Sequence, residues 1–402
     1  MTRIGGLILA LALVASACGA DPSSEVPVDS VEPANTSSAE PGAATDAVLP
    51  FGPSALDDMF SSKFPPSLVD AEQIISGGPP PDGIPPIDDP RFVTVAEANA
   101  YLSDGEPVVE LTIDGDARAY PVQVLIWHEI VNDTVGGVPV SVTYCPLCNS
   151  AVSYVREVRG VETTFGTSGR LFASALVMYD RETESLWTHF DGRAVVGVLA
   201  GDQLEVVGSP LLAWADFREA HPEGKVLDRD GTGYSRDYGR NPYVGYDDAS
   251  TTPFLFRGAL DDRTQAKQRV VGVEIDGAAA AYALDGLAQG PASATSVSLG
   301  GTDLVILWKA GQSTALEGSE VDTGRDVGSV GVFLPTLADA VMSFVASPDG
   351  FVDSETGSTW NILGEAIAGP AAGSQLERVP HLDTFWFAWS TYRPGTELVE
   401  EL

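Results

Sequence analysis

The chain is poor in the residues that most often carry chemistry. Its 402 residues include three cysteines, four histidines and four methionines, and 22 basic residues stand against 57 acidic ones. The net charge of −35 argues against nucleic acid and anionic surfaces as partners, because both recruit positive charge. No apolar run reaches the length of a membrane-spanning helix. There is no glycine-rich phosphate loop followed by Lys, no His-Glu-x-x-His and no Gly-x-Ser-x-Gly elbow. Phe165-Gly166-Thr167-Ser168-Gly169 is Gly-rich but lacks the loop's spacing. Nucleotide enzyme, zinc protease and serine hydrolase readings therefore find no local support.

The N-terminus reads as a secretory signal over residues 1–18. Arg3 precedes the apolar run Leu7 to Val14, and Ala15-Ser16-Ala17-Cys18 follows. Small residues before a cysteine are similar to a bacterial lipobox, in which Cys18 would become the lipidated first residue of the mature chain. That leaves two cysteines, in an extracytoplasmic compartment where disulfides persist. Residues 19–50, rich in Pro, Ser, Ala and acidic side chains, read as a solvated tether between the lipid anchor and the body.

Beyond the tether the pattern is mainly β (α+β), with few short helices. Thr94 to Leu102 has helical spacing, and Val69 to Ile75 reads as a short helix. Val108 to Ile113 and Ala117 to Val122 form a hairpin about Asp114-Gly115. Val124 to Val131 and Val138 to Tyr144 read as strands, Ser168-Gly169-Arg170 as a loop, and Ala173 to Tyr179 as a strand.

The chain also resembles itself. Asp180, Glu182, Thr183, Ser185 and Trp187 recur as Asp353, Glu355, Thr356, Ser358 and Trp360. Ile113-Asp114-Gly115 recurs as Ile275-Asp276-Gly277, and Gly136-Gly137 as Gly300-Gly301. Val140 to Tyr144 matches Leu304 to Trp308, and Ala213-Trp214 matches Ala388-Trp389. The order is collinear, so the expectation is two tandem copies of one β-rich unit packed as a pseudo-dimer. The repeated parts span about 90–230 and 255–402, within a first unit at 51–250 and a degenerate second unit at 251–402.

The duplication separates scaffold from site. Cys145-Pro146-Leu147-Cys148 in the first copy faces Lys309-Ala310-Gly311-Gln312 in the second, and His189 faces Ile362. Groups present only in the first copy are the functional candidates. The Cys-x-x-Cys stretch has three readings: a redox dithiol, part of a metal site, or a small structural disulfide. A redox motif of the thioredoxin kind opens a helix, whereas Ala151 to Arg156 alternates like a strand. A zinc ribbon would need a second Cys-x-x-Cys or a His pair, and neither is present. A mixed site for zinc or copper would use Cys145, Cys148 and His128, with His189 or a carboxylate as fourth ligand. Arg156, Arg170, Arg181 and Arg236, with Tyr238 and Trp187, are candidates for an anionic or glycan ligand. A purely structural envelope protein is the third expectation.

Tyr120-Pro121, Trp127-His128-Glu129, Val142-Thr143-Tyr144-Cys145-Pro146-Leu147-Cys148, Met178-Tyr179-Asp180-Arg181 and Thr232-Gly233-Tyr234-Ser235-Arg236-Asp237-Tyr238-Gly239 carry a resemblance to a bacterial family, the domain of unknown function numbered 3179. The resemblance runs from about residue 78 to 395. It implies a secreted or lipid-anchored envelope protein and no particular activity.

Overall fold

Each copy begins with a hairpin whose turn demands left-handed backbone. Asp114-Gly115 joins β1 (Pro107–Ile113) to β2 (Asp116–Pro121) with φ of 49° and 80°. Asp276-Gly277 joins the equivalent strands Arg269–Ile275 and Ala278–Ala283 with φ of 50° and 80°. Aspartate and glycine tolerate that region, which suits the twist of a tight hairpin. The computed structural model describes residues 48–348 and 350–402. The signal segment, Cys18 and nearly all of the tether lie outside the described residues.

A short helix follows in each copy, and then a three-stranded meander. In the first copy the meander is β3 (Ile130–Val135), β4 (Val138–Cys145) and β5 (Ser150–Val155). In the second it is Ala292–Leu299, Thr302–Lys309 and Ser329–Phe333. A second sheet comes next, including β6 (Phe165–Phe172), β7 (Ala175–Asp180) and β8 (Leu186–Thr188). Each copy then closes with a strand, a helix and a strand, the last of which runs parallel to its hairpin. The body is mainly β, with five short helices among the described residues. No described helix is long and apolar enough to cross a membrane.

The repeat is visible in its hydrogen bonds. Asp180 accepts from Thr183 N at 2.6 Å, Thr183 Oγ1 at 2.9 Å, Ser185 N at 3.1 Å and Trp187 Nε1 at 2.9 Å. Asp353 accepts from Thr356 N at 2.5 Å, Thr356 Oγ1 at 2.7 Å, Ser358 N at 3.1 Å and Trp360 Nε1 at 2.8 Å. One carboxylate organises the same turn twice.

Several local expectations are corrected. Val122–His128 is a helix, α2, and not the start of a strand. Its residues are buried on nearly every face, so they show no period that separates helix from strand. The helical stretch from Thr94 reduces to α1 (Val95–Ala98), capped by Thr94 and Glu97, and the stretch at Val69 to Ala71–Gln73. Ser168-Gly169-Arg170 is no loop: it lies inside β6, at a register shift between Thr167 and Arg170. Ala213-Trp214 is equivalent to Phe385-Trp386, not to Ala388-Trp389. Trp214 N donates to Glu106 O and Trp386 N to Gln268 O, both at 2.8 Å. Trp386 and Trp389 sit three residues apart on one helix, which made the wrong register look right.

The copies exchange their closing elements. The core around Tyr154, Phe165 and Trp187 of the first copy is completed by Phe385, Trp386, Phe387 and Trp389 of the second. The core around Phe333, Phe351 and Trp360 of the second is completed by Leu212, Trp214 and Phe217 of the first. The strand contacts are reciprocal too: β5 packs on His381–Phe385, and Ser329–Phe333 packs on Leu211–Ala213. Truncating either knot should therefore unsettle both copies. Asp180→Ala and Asp353→Ala should each cost on the order of 3 kcal/mol or more, since each strands several buried donors. Equilibrium denaturation should show a single transition with similar losses for the two. A loss confined to one of two separate transitions would contradict the shared cores.

Candidate metal centre

β4 delivers Cys145 at its last position, directly opposite Ser150 at the start of β5. The hairpin corner between them is Pro146 to Asn149, with Asn149 at φ 47° and its amide bonded to Pro146 O. Cys-x-x-Cys thus spans a strand-to-strand corner. No helix N-terminus follows it to stabilise a thiolate, as the alternation of Ala151 to Arg156 anticipates. The two thiols are not bonded to each other.

His189 enters from the second sheet, one residue after β8. Its amide donates to Leu176 O at 3.1 Å and its carbonyl accepts from Tyr154 Oη at 2.6 Å, so its backbone is pinned. One ring nitrogen of His189 and the sulfurs of Cys145 and Cys148 all lie within 4.8 Å of one another. All three residues are buried, with no more than 1% exposure. Neither ring nitrogen of His189 has a hydrogen-bond partner among the described residues. Burial pulls its pKa down to about 3, so the imidazole is neutral and offers a lone pair.

The sulfurs are unequal. Burial works to raise Cys145, but the Cys148 thiol and the amides of Leu176, Cys148 and Leu147 outweigh it and leave Cys145 below the ordinary thiol value. The Leu176 amide lies 3.4 Å from its sulfur. Cys148 is pushed well up by burial and by Cys145, and its sulfur sits 3.0 Å from Ser150 Oγ. Two sulfurs and a neutral imidazole form a donor set that soft or borderline metals favour. Ligands about 2.0–2.3 Å from a shared zinc lie roughly 3.5 Å apart, so a small inward movement suffices.

In the second copy the equivalent positions carry groups that satisfy one another without a metal. Lys309, at the position of Cys145, pairs with Asp216 at 2.6 Å, and Ser329 Oγ bonds the other oxygen of that carboxylate. Ile362 takes the place of His189 and is buried.

His128 does not join the sulfurs. α2 ends on it, and Glu129 turns the chain at φ 61° and ψ −30°. His128 Nδ1 is 2.7 Å from Pro85 O, and Nε2 is 2.7 Å from Tyr238 Oη. A carbonyl only accepts, so Nδ1 carries the hydrogen and Tyr238 donates to Nε2. The imidazole partner of the thiols is therefore His189, the alternative fourth ligand, and His128 is a satisfied structural histidine.

The arginines divide similarly. Arg156 is spent on Glu162 and on the carbonyls of Asp133 and Thr163. Arg181 is spent on Asp82, Asp88 and Thr164. Arg236 is exposed beside Tyr234. Arg170, bonded to Leu56 O, lines a cavity. Trp187 is fully buried and held by Asp180, so it is scaffold and not the wall of a cleft. Tyr238 is committed to His128.

Glu129 was visible in the sequence only as a neighbour of His128. Its side chain is 6% exposed, faces a cavity and has no hydrogen-bond partner among the described residues. Burial, with the Cys145 charge adding, raises its pKa well above the usual carboxylate range.

A match to the family described as "Protein of unknown function (DUF3179)" covers residues 81–396. The chain belongs to DUF3179. That match takes in both copies, Cys145, Cys148 and His189. No curated protein and no solved structure matches this DUF3179 chain.

Burial lowers the pKa of all four histidines of the chain, His128 to about 4. The unfolded chain takes up protons near pH 6.5, and the folded chain resists until lower pH. Stability is thus unaffected above that point and falls as pH drops from about 6.5 towards 4, by up to about 1.4 kcal/mol per unit for each histidine. Thermal melts across that window should show it, and His128→Gln should flatten the slope by about one proton's worth. An unchanged slope in that variant would contradict the assignment.

Proposed function

We propose that this DUF3179 chain is an extracytoplasmic lipoprotein, anchored through Cys18, whose body holds zinc or copper on Cys145, Cys148 and His189. The observation that carries the reading is the pair of unpartnered ring nitrogens on a fully buried imidazole, set against two thiols. An unmet buried polar group costs about 1–3 kcal/mol. Structural zinc returns on the order of 10 kcal/mol, so a bound metal offsets that cost several times over.

Three protein ligands leave one coordination position open. Copper(I) accepts three soft ligands. Zinc would take a fourth from a small molecule or water, as open zinc sites do. Binding requires both thiols to lose their protons, and the low value of Cys145 and the neutral ring of His189 favour that state. The strongly acidic body and the N-terminal signal support an envelope address without a nucleic-acid partner.

A second reading has one observation behind it. A thiol held low beside a thiol held high resembles an attacking and a resolving cysteine, so a dithiol cycle would use the same pair.

The test is elemental analysis with native mass spectrometry on chain purified under reducing conditions and offered zinc or copper(I). One metal per chain is expected. Cys145→Ser, Cys148→Ser and His189→Ala should each weaken binding at least a hundredfold, whereas His128→Gln should keep it. Saturating metal should raise the melting temperature, by about 4 kcal/mol of stability at a thousand times Kd. A chain that takes up neither metal yet oxidises reversibly would replace this reading with the dithiol one. Cys18→Ser should release the chain into the soluble fraction.

A further inference from the structure

A cavity of about 250 Å³ lies beside the sulfur cluster. Its wall is largely aliphatic and aromatic, including Leu147, Leu176, Tyr246 and Phe254. Phe254 is about half exposed and marks the outer rim, while the buried Glu129, Leu147 and Leu176 form the floor. Leu147 sits between the two cysteines and the Leu176 amide touches the Cys145 sulfur, so the floor is one residue thick above the thiols.

Two polar groups line this apolar space without a partner. The Glu129 carboxyl makes no hydrogen bond among the described residues, and neither does the Tyr243 hydroxyl. The Tyr246 hydroxyl, by contrast, is fully used: it donates to Leu147 O at 3.0 Å and accepts from Phe254 N at 3.1 Å. Glu129 is also held at φ 61°, a conformation that an ordinary side chain adopts only when its surroundings enforce it. Both groups open onto the cavity, where a ligand can reach them, and a few free polar groups on an apolar wall are what fix a ligand's orientation.

We propose that this cavity binds a small aromatic molecule bearing a phenolic hydroxyl, engaged by Glu129 and Tyr243. A phenolic O–H donates to a carboxyl oxygen of Glu129, and its oxygen accepts from the Tyr243 hydroxyl. Both contacts form with Glu129 ionised or protonated, since its carbonyl oxygen accepts in either state. The ring then lies against the leucines, Tyr246 and Phe254. The volume suits one or two fused rings, since a cavity of about 150 Å³ holds benzene. Sparse, convergent polar groups in an apolar pocket fix orientation as well as affinity. The inference does not depend on metal at Cys145, Cys148 and His189.

The test titrates the full-length chain with 2-naphthol, followed by its fluorescence, and with naphthalene as the ring without the hydroxyl. Saturable binding of 2-naphthol at least about tenfold tighter than naphthalene is expected, one net hydrogen bond being worth up to about that factor. Tyr243→Phe and Glu129→Leu should each bring 2-naphthol about tenfold closer to naphthalene. Naphthalene itself should bind both variants as well as it binds the wild type, or better. Circular dichroism checks the fold, and if Glu129→Leu does not fold, Tyr243→Phe decides alone. Equal affinity for the two ligands, or no saturation by 2-naphthol, overturns the proposal.

Discussion

An imidazole with no hydrogen bond, sealed from water beside two thiols, is the constraint around which the first copy is built. His189 cannot escape it, because its amide and carbonyl are tied to Leu176 and Tyr154. The thiols cannot either, because β4 and β5 fix both ends of their corner. The seal comes from the other copy. Phe385 N and Thr384 Oγ1 both bond the carbonyl of Cys148, at 3.2 and 2.7 Å, and the aromatic run behind them closes the core. The second copy lacks the thiols and histidine but has the element that covers them in the first. The asymmetry between the copies then has a physical account. Lys309 and Asp216 satisfy each other where the sulfurs would have been, so the second site needs no metal to be stable.

Much of this was legible from residues alone. The Asp-Gly turns, the glycine pairs and the Asp-Thr-Ser-Trp knot survive in both copies because each is fixed by local backbone chemistry. Such features align even when the surrounding side chains change. Of the groups present only in the first copy, Cys145, Cys148 and His189 lie together, while His128 lies apart. What the sequence did not disclose is which histidine reaches the sulfurs. In the sequence His128 stands nearer the thiols than His189 does and has a carboxylate beside it. The choice is made by tertiary contact: β8 carries His189 to β4, while α2 ends and turns His128 away. One signal was available. His189 stands opposite Ile362, an apolar core position, and a histidine in a core position needs a partner or a function. The register slip at Trp214 and the helix at Val122–His128 share a cause. Both lie in runs of large buried side chains, where burial on all faces erases the pattern that distinguishes one register or one element from another.

Glu129 was the least legible residue. Its left-handed backbone belongs to the end of the helix before it, whereas the cavity it faces forms only when distant residues such as Tyr243 and Phe254 come to line it. The proposed cavity and the proposed metal centre are then two faces of one wall. Leu147 and Leu176 divide them, and the backbone that presents Glu129 to one also accepts from the Tyr144 amide next to Cys145 in the other.

X-ray absorption at the edge of the metal taken up by the full-length chain tests the central claim most directly. Two sulfurs near 2.3 Å and one imidazole nitrogen near 2.0–2.1 Å are predicted for zinc, with the imidazole signal lost in His189→Ala. A shell made only of oxygen and nitrogen, or an imidazole signal that survives that substitution, would contradict it.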